Sequence, residues 1–262
     1  MALLRVELLR QIEALEREGA AHDAAEPERR RKRLNLERPA GELLHLLLRA
    51  TGRKRVLEIG TSNGISTLWI QAALRVTGGT LVTVDREPAK QDEARRNLSA
   101  ARLIEGVTFL AGDATEVVRG LPGPFDAVFF DADRVSAPEQ LALLLPRLEP
   151  DVLLVSDNVL SHPAEVAAYL AACDALSGFA SSSCPWERVY TSRTGRHADR
   201  AARPDKIPSP PSSAGRSSRL RFKGLGAART SQGLDLAIRR ALDLEGRRRC
   251  PGLVKRLRLR VS

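Results

Sequence analysis

The chain has 262 residues, 43% of them hydrophobic, and carries 42 Lys+Arg against 32 Asp+Glu, a formal charge of +10. That is enough for one substantial core, and no apolar run approaches the ~20 residues that would span a membrane. Three cysteines, Cys173, Cys184 and Cys250, lack paired spacing, which excludes a Cys-based zinc motif and fits a reducing cytoplasm. Arg5 interrupts the first apolar residues too early for a secretory signal. The charge is unevenly spread: residues 1–186 hold 22 basic and 26 acidic side chains, residues 187–262 hold 20 and 6. Basicity therefore belongs to the tail and does not mark the preceding part as a binder of nucleic acid.

Leu3, Leu4, Val6, Leu8, Leu9, Ile12 and Leu15 recur at helical spacing and predict an amphipathic helix over 2–18. Residues 28–33 form a charged connector. Pro39 then suits a helix start, continued by GELLHLLLRA at 41–50, with His45 read as a residue of the helix face. From 55 onward, strands and helices alternate. Strands are predicted at 55–59, 80–84, 107–110, 125–130 and 152–156, and helices at 65–73, 88–101, 116–120, 138–147 and 164–176. This rhythm predicts parallel βαβ units with helices on both faces of one sheet.

The chemistry sits at strand ends. The first strand runs into a glycine turn, VLEIGTSNGIST at 56–67, where backbone can approach a ligand closely and present free N–H groups. Such turns also use glycine for purely steric reasons. The second strand, in LVTVDREPAK at 81–90, ends at Asp85, where an acid can hold ribose hydroxyls. GDA follows at 112–114. Asp131 closes the fourth strand in FDAVFFDADR (125–134), and Asp157 and Asn158 close the fifth in LLVSDNVL (153–160). Neighbouring strand ends would bring these three oxygen-bearing side chains together, a set suited to Mg²⁺ or Ca²⁺. The competing reading is that acids at strand ends cap the following helix.

In this order the five motifs resemble those of the catechol/caffeoyl-CoA O-methyltransferase family, class I enzymes dependent on S-adenosylmethionine (SAM), over residues 34–179. The resemblance implies a Rossmann-like, doubly wound, mostly parallel α/β sheet, SAM as cofactor, and Mg²⁺ or another divalent cation. It implies methyl transfer to a hydroxyl of a catechol-like small molecule, and a homodimer through the N-terminal helices. By the same resemblance Glu58, Gly60, Thr61, Gly64 and Ser66 line the methionine side of SAM, Asp85 binds its ribose, and Asp113 and Ala114 border its adenine. Asp131 meets both cofactor and cation, and Asp131, Asp157 and Asn158 ligate the metal. The cation lowers an acceptor hydroxyl's pKa, and the oxygen then takes the methyl group in line.

Two departures stand out. Arg134 occupies the position where the family carries a lysine taken as general base, and arginine keeps its proton at any practical pH. Glu149-Pro150-Asp151 replaces a Pro-Gly-Gly turn and is expected to alter a loop.

After Phe179 the pattern stops. The family closes its sheet with an antiparallel pair whose first strand reads like VPVGKGL, whereas residues 183–190 read SCPWERVY. In the overlapping frame the codons of this octapeptide permit VPVGKGL, so a frameshift is expected between about 179 and 183. The closing strand pair is then absent or altered. Residues 183–262, with IPSPPSSAG at 207–215, read as a basic, low-complexity, disordered tail. The expected organisation is an N-terminal helix and connector at 1–33, a methyltransferase domain at 34–182 and the tail beyond. Two other functions compete: an O-methyltransferase of hydroxylated uridine in tRNA, which a basic patch around the crevice would favour and for which Arg29–Arg33 is the one candidate, and a degenerate SAM-binding protein. Neither these nor the leading reading calls for a membrane.

Overall fold

A computed structural model describes residues 2–158, 162–177, 179–183 and 187–192. The long first helix, α1 (Ala2–Ala25), runs a further two turns beyond the predicted 18 and leads through a short 3-10 turn (Arg29–Arg31) to α2 (Arg38–Thr51). The alternating part follows as β1 (Arg55–Ile59), α3 (Ile65–Thr77), β2 (Thr80–Asp85), α4 (Pro88–Ala100), β3 (Val107–Ala111) and α5 (Ala114–Gly120). It continues with β4 (Phe125–Phe130), α6 (Ala137–Leu144), β5 (Leu148–Asp157), α7 (Pro163–Asp174), β6 (Phe179–Ser183) and β7 (Glu187–Ser192).

The sheet order is β3-β2-β1-β4-β5-β7-β6. The first five strands are parallel, as the alternation predicts. Successive strand residues point to opposite faces, so β4 sends Ala127 and Phe129 to one core and Val128 and Phe130 to the other. β5 divides in the same way, with Leu153 and Val155 against Val152 and Leu154. The first core is covered by α1, α2 and α3, and the second by α5, α6 and α7. Gly41 lets α2 close on α3, since a Cβ there would meet the Trp69 indole at 2.3 Å. His45 lies on the same face, edge-on to Trp69, its Nδ1 3.1 Å from the Trp69 carbonyl, as a residue of the helix face should.

One alternative is resolved and one expectation changes. Of an absent or an altered closing pair, the chain has the altered one: β7 runs antiparallel to β5, and β6 antiparallel to β7. Its sequence departs from VPVGKGL, but a ladder of backbone hydrogen bonds asks only for extended chain, so altered side chains do not abolish it. The sheet therefore reaches past residue 182. Second, Glu149, Pro150 and Asp151 belong to β5 and not to a loop, next to a register shift between Phe125 and Ala127 of β4. The linker at 207–215 and the rest of 193–262 lie outside the described residues. Among the described residues no helix is long and apolar enough to cross a membrane.

Candidate active site

A cavity of about 710 Å³ opens at the carboxyl ends of the parallel strands, where open α/β sheets bind ligands. Gly60, Asp85, Ala114, Asp131, Arg134, Asp157 and Asn158 all line it. The turn after β1 is shaped by contact with β4. Gly60 has φ +110°, and a Cβ on it would lie 2.1 Å from the Asp131 carbonyl oxygen. Only glycine fits there, and the constraint comes from protein packing.

Asp85 is fixed by two backbone donors, the Ser62 N–H on Oδ2 at 2.7 Å and the Glu87 N–H on Oδ1 at 2.9 Å. Each oxygen keeps a lone pair for a ligand hydroxyl. At the far side, Asn158 Nδ2 donates to Asp157 Oδ2 at 2.8 Å and lies 3.4 Å from Asp131 Oδ1. The two acids and the amide thus converge. Burial, then the charges of Asp157 and Glu58, push the Asp131 carboxyl well above the usual range, with Arg134 opposing. Burial raises Asp157 as well, against its hydrogen bond with Asn158 and the charge of Arg134. Two carboxylates sharing so small a volume favour a cation between them. Among the described residues no three His, Cys, Asp or Glu side chains gather as a metal set; the group here is two acids and an amide.

Five of the predicted residues do not line the cavity: Glu58, Thr61, Gly64 and Ser66 are buried behind it, and Asp113 is exposed. Glu58 is fully buried, because the two-residue period of β1 turns it toward α3 while Leu57 and Ile59 face the other core. The Thr67 and Thr83 hydroxyls donate to its Oε2 at 2.7 and 2.6 Å, and Oε1 has no hydrogen-bond partner among the described residues. Burial pushes its carboxyl up to about 7 despite the opposing hydroxyls of Ser66, Thr83 and Thr67. Thr83 has one proton and gives it to Glu58, so the Thr61 hydroxyl 2.6 Å away must donate to Thr83. Gly64 opens α3 against Ala94 of α4, and Ser66 is buried in the first turn of α3. Asp113 caps α5, accepting from the Thr115 and Glu116 N–H groups, and pairs with Arg86 at 2.7 Å. These contacts hold its carboxyl below the ordinary range, the Arg86 hydrogen bond most of all.

Of the rim, sequence reasoning offered only the run Arg29–Arg33, as a candidate basic patch. Arg29, Arg30, Arg33, Leu34 and Glu37 line the cavity from the connector. Asp23 of α1 holds that segment by accepting from the Arg33 and Leu34 N–H groups at 2.7 and 2.8 Å, and the Ser62 hydroxyl donates to the Arg33 carbonyl at 2.6 Å. Leu34, Ser62 and Asn158 are non-glycine residues at positive φ (48°, 47° and 64°), and all three line the cavity. Backbone strain of this kind gathers where surrounding contacts over-determine a site. Gln140 of α6, 2% exposed, also lines the cavity and donates to Thr115 Oγ1 at 3.3 Å. No local pattern marks Leu34, Glu37 or Gln140, because tertiary contacts bring them to the strand ends.

A doubly wound sheet with acids at four of its carboxyl-end tips defines a ligand-binding α/β domain, and residues 57–159 match the family model described as a methyltransferase domain. More particularly, part of the chain is similar to proteins named catechol O-methyltransferase. It is 35% identical over 124 residues to a catechol O-methyltransferase of Niastella koreensis, covering 46% of this chain and 56% of that protein. To the catechol O-methyltransferase of Mycobacterium tuberculosis it is 34% identical over 142 residues, covering 54% and 62%. The chain thus spans about three fifths of the length of these curated relatives. Among solved structures, the O-methyltransferase TomG from Streptomyces achromogenes, in complex with SAM, superposes with a TM-score of 0.56 at 28% identity, covering 61% of this chain and 82% of that one.

Proposed function

We propose that the chain is a SAM-dependent O-methyltransferase that uses a divalent cation such as Mg²⁺ to methylate a hydroxyl of a catechol-like small molecule in the cytoplasm. The observation that carries this reading is the meeting of Asp131, Asp157 and Asn158 in the same cavity as Gly60, Asp85 and Ala114. In this reading Asp85 holds the ribose hydroxyls, Ala114 borders the base and Gly60 faces the methionine end. Glu58, Thr61, Gly64 and Ser66 support that end from behind, Glu58 placing a buried acid beneath a cationic donor. Asp113 braces the base end through its cap on α5 and its pair with Arg86.

The donor set fits a hard divalent cation. Two carboxylates raised by burial and nearby acids gain most from such a charge, and a turn of the Asn158 amide presents Oδ1 in place of Nδ2. When bound, the cation supplies the acidity that deprotonates an acceptor hydroxyl near neutral pH. A guanidinium does not serve as a base, so the part of Arg134 is to neutralise and orient, and the remaining acceleration comes from holding acceptor and donor in line.

Arg29, Arg30 and Arg33 stand at the rim, which bears on the tRNA alternative. Arg30 is paired with Glu87 and Arg33 with Glu93, at 3.0 and 2.8 Å, so the patch is largely neutralised and a small acceptor is favoured.

Asp157→Asn tests the reading with and without turnover. In chelator the variant should melt at a higher temperature than the parent chain, because a like-charge neighbour of Asp131 has gone. Added Mg²⁺ should stabilise only the parent. Catechol methylation should fall on the order of 100-fold or more, with S-adenosylhomocysteine binding retained. An unchanged Mg²⁺ response would refute the metal assignment, and a chain that binds no S-adenosylhomocysteine would refute the methyltransferase reading.

A further inference from the structure

We propose that the acceptor of this site carries a carboxylate, and that Arg134 and Arg29 form the clamp that receives it, a place held in this structure by the protein's own Glu165. The inference rests on the methyltransferase reading and narrows its substrate class to acidic vicinal diols.

Arg134, Arg29, His162 and Glu165 line the cavity together with Asp131 and Asp157. Arg134 Nη1 donates to Glu165 Oε2 at 2.6 Å. The two side chains are unequally placed: that of Arg134 is 16% exposed and that of Glu165 is 50% exposed. The guanidinium is therefore part of the wall, while the carboxylate reaches it from the open side. The Arg134 hydrogen bond, foremost, and the charges of Arg134, His162 and Arg29 hold the Glu165 carboxyl below its ordinary range. Cationic groups from two separate segments thus converge on one carboxylate.

Three further observations favour an external anion there. Glu165 lies in the first turn of the twelve-residue α7, and a helix N-terminus favours negative charge. Elsewhere on the rim the cations are engaged: Arg30 with Glu87, Arg33 with Glu93 and Arg86 with Asp113, while Lys90 Nζ donates to the Lys32 carbonyl at 2.8 Å. Arg29 forms no ion pair among the described residues. Finally, an ion pair with one half-exposed partner is worth little, so a ligand carboxylate can displace Glu165. Guanidinium offers several donors in a planar fork that matches a carboxylate. A diol seated at Asp131 and Asp157 would then turn its acidic substituent toward the arginine that replaces the family's lysine.

The test compares 3,4-dihydroxybenzoate with unsubstituted catechol, by calorimetry on the full chain with Mg²⁺ and S-adenosylhomocysteine and by initial rates with SAM. The parent chain should bind the acid about tenfold more tightly than catechol, and Arg29→Ala should remove most of that preference through KM rather than kcat. Glu165→Gln, which leaves the wall arginines in place, should tighten the acid several-fold and leave catechol unchanged. Arg134→Met should abolish the preference, and its melting temperature shows whether it folds. Equal affinity for the two probes in a chain that methylates catechol, or no response to Glu165→Gln, overturns the clamp alone. Failure to bind S-adenosylhomocysteine overturns the methyltransferase reading and the clamp with it.

Discussion

Glu58 couples this site to the stability of the sheet. Its carboxyl titrates near 7 in the folded chain against a reference of 4.5, so between these values the unfolded state loses its proton while the folded state keeps it. Stability must then fall as pH rises from about 4.5 to about 7, by roughly 3 kcal/mol for a group this deeply buried. Glu58→Gln should remove that slope, leaving Thr67 and Thr83 an amide oxygen to donate to. Urea denaturation at pH 5 and pH 8 reads it directly, and an equal slope in the variant would show that the proton resides elsewhere. The motif around Glu58 was legible in the sequence, but its direction was not. Position in β1 alone does not say which face carries α3, and that face is what separates a buried acid from one that touches the ligand.

Elements are joined by contacts tighter than their patterns suggest. The stripe of α2 announces an amphipathic helix, yet Gly41 within it reads as a weakness, since glycine costs a helix up to about 1 kcal/mol relative to alanine. Its Cβ would strike the Trp69 ring at 2.3 Å, and Trp69 is 5% exposed with little room to yield. Gly41→Ala is therefore expected to destabilise by about 1–2 kcal/mol despite the better helix propensity, as chemical denaturation would measure. A stabilised variant would mean that α2 and α3 can separate freely. The connector between α1 and α2 teaches the same lesson. Its sequence reads as a charged connector, and Asp23 and Ser62 hold its Arg33 and Leu34 backbone at the cavity rim.

At the scale of the whole molecule, β7 and β6 shield β5, whose Val152, Leu153, Leu154 and Val155 are buried. A chain ending after Ser177 would leave that apolar strand as an open edge, a template for pairing with other chains. Compared with a chain ending after Ser192, it should elute as aggregate in size-exclusion chromatography at equal concentration. Equal monomer recovery would show that the closing pair contributes nothing to the edge.

The sequence by itself determined the alternation of five strands with helices and the acids that end β1's neighbours, because periodicity and position along a strand are local properties of the chain. It also carried the five motifs, and with them the likeness to O-methyltransferases. Tertiary structure alone decided which motif residues line the cavity and which stand behind it, that residues 29–37 form its rim, that Glu165 is the partner of Arg134, and that an altered segment still pairs with β5. Each of these depends on groups far apart in sequence meeting through packing or backbone hydrogen bonds, and no window of neighbouring residues records such meetings.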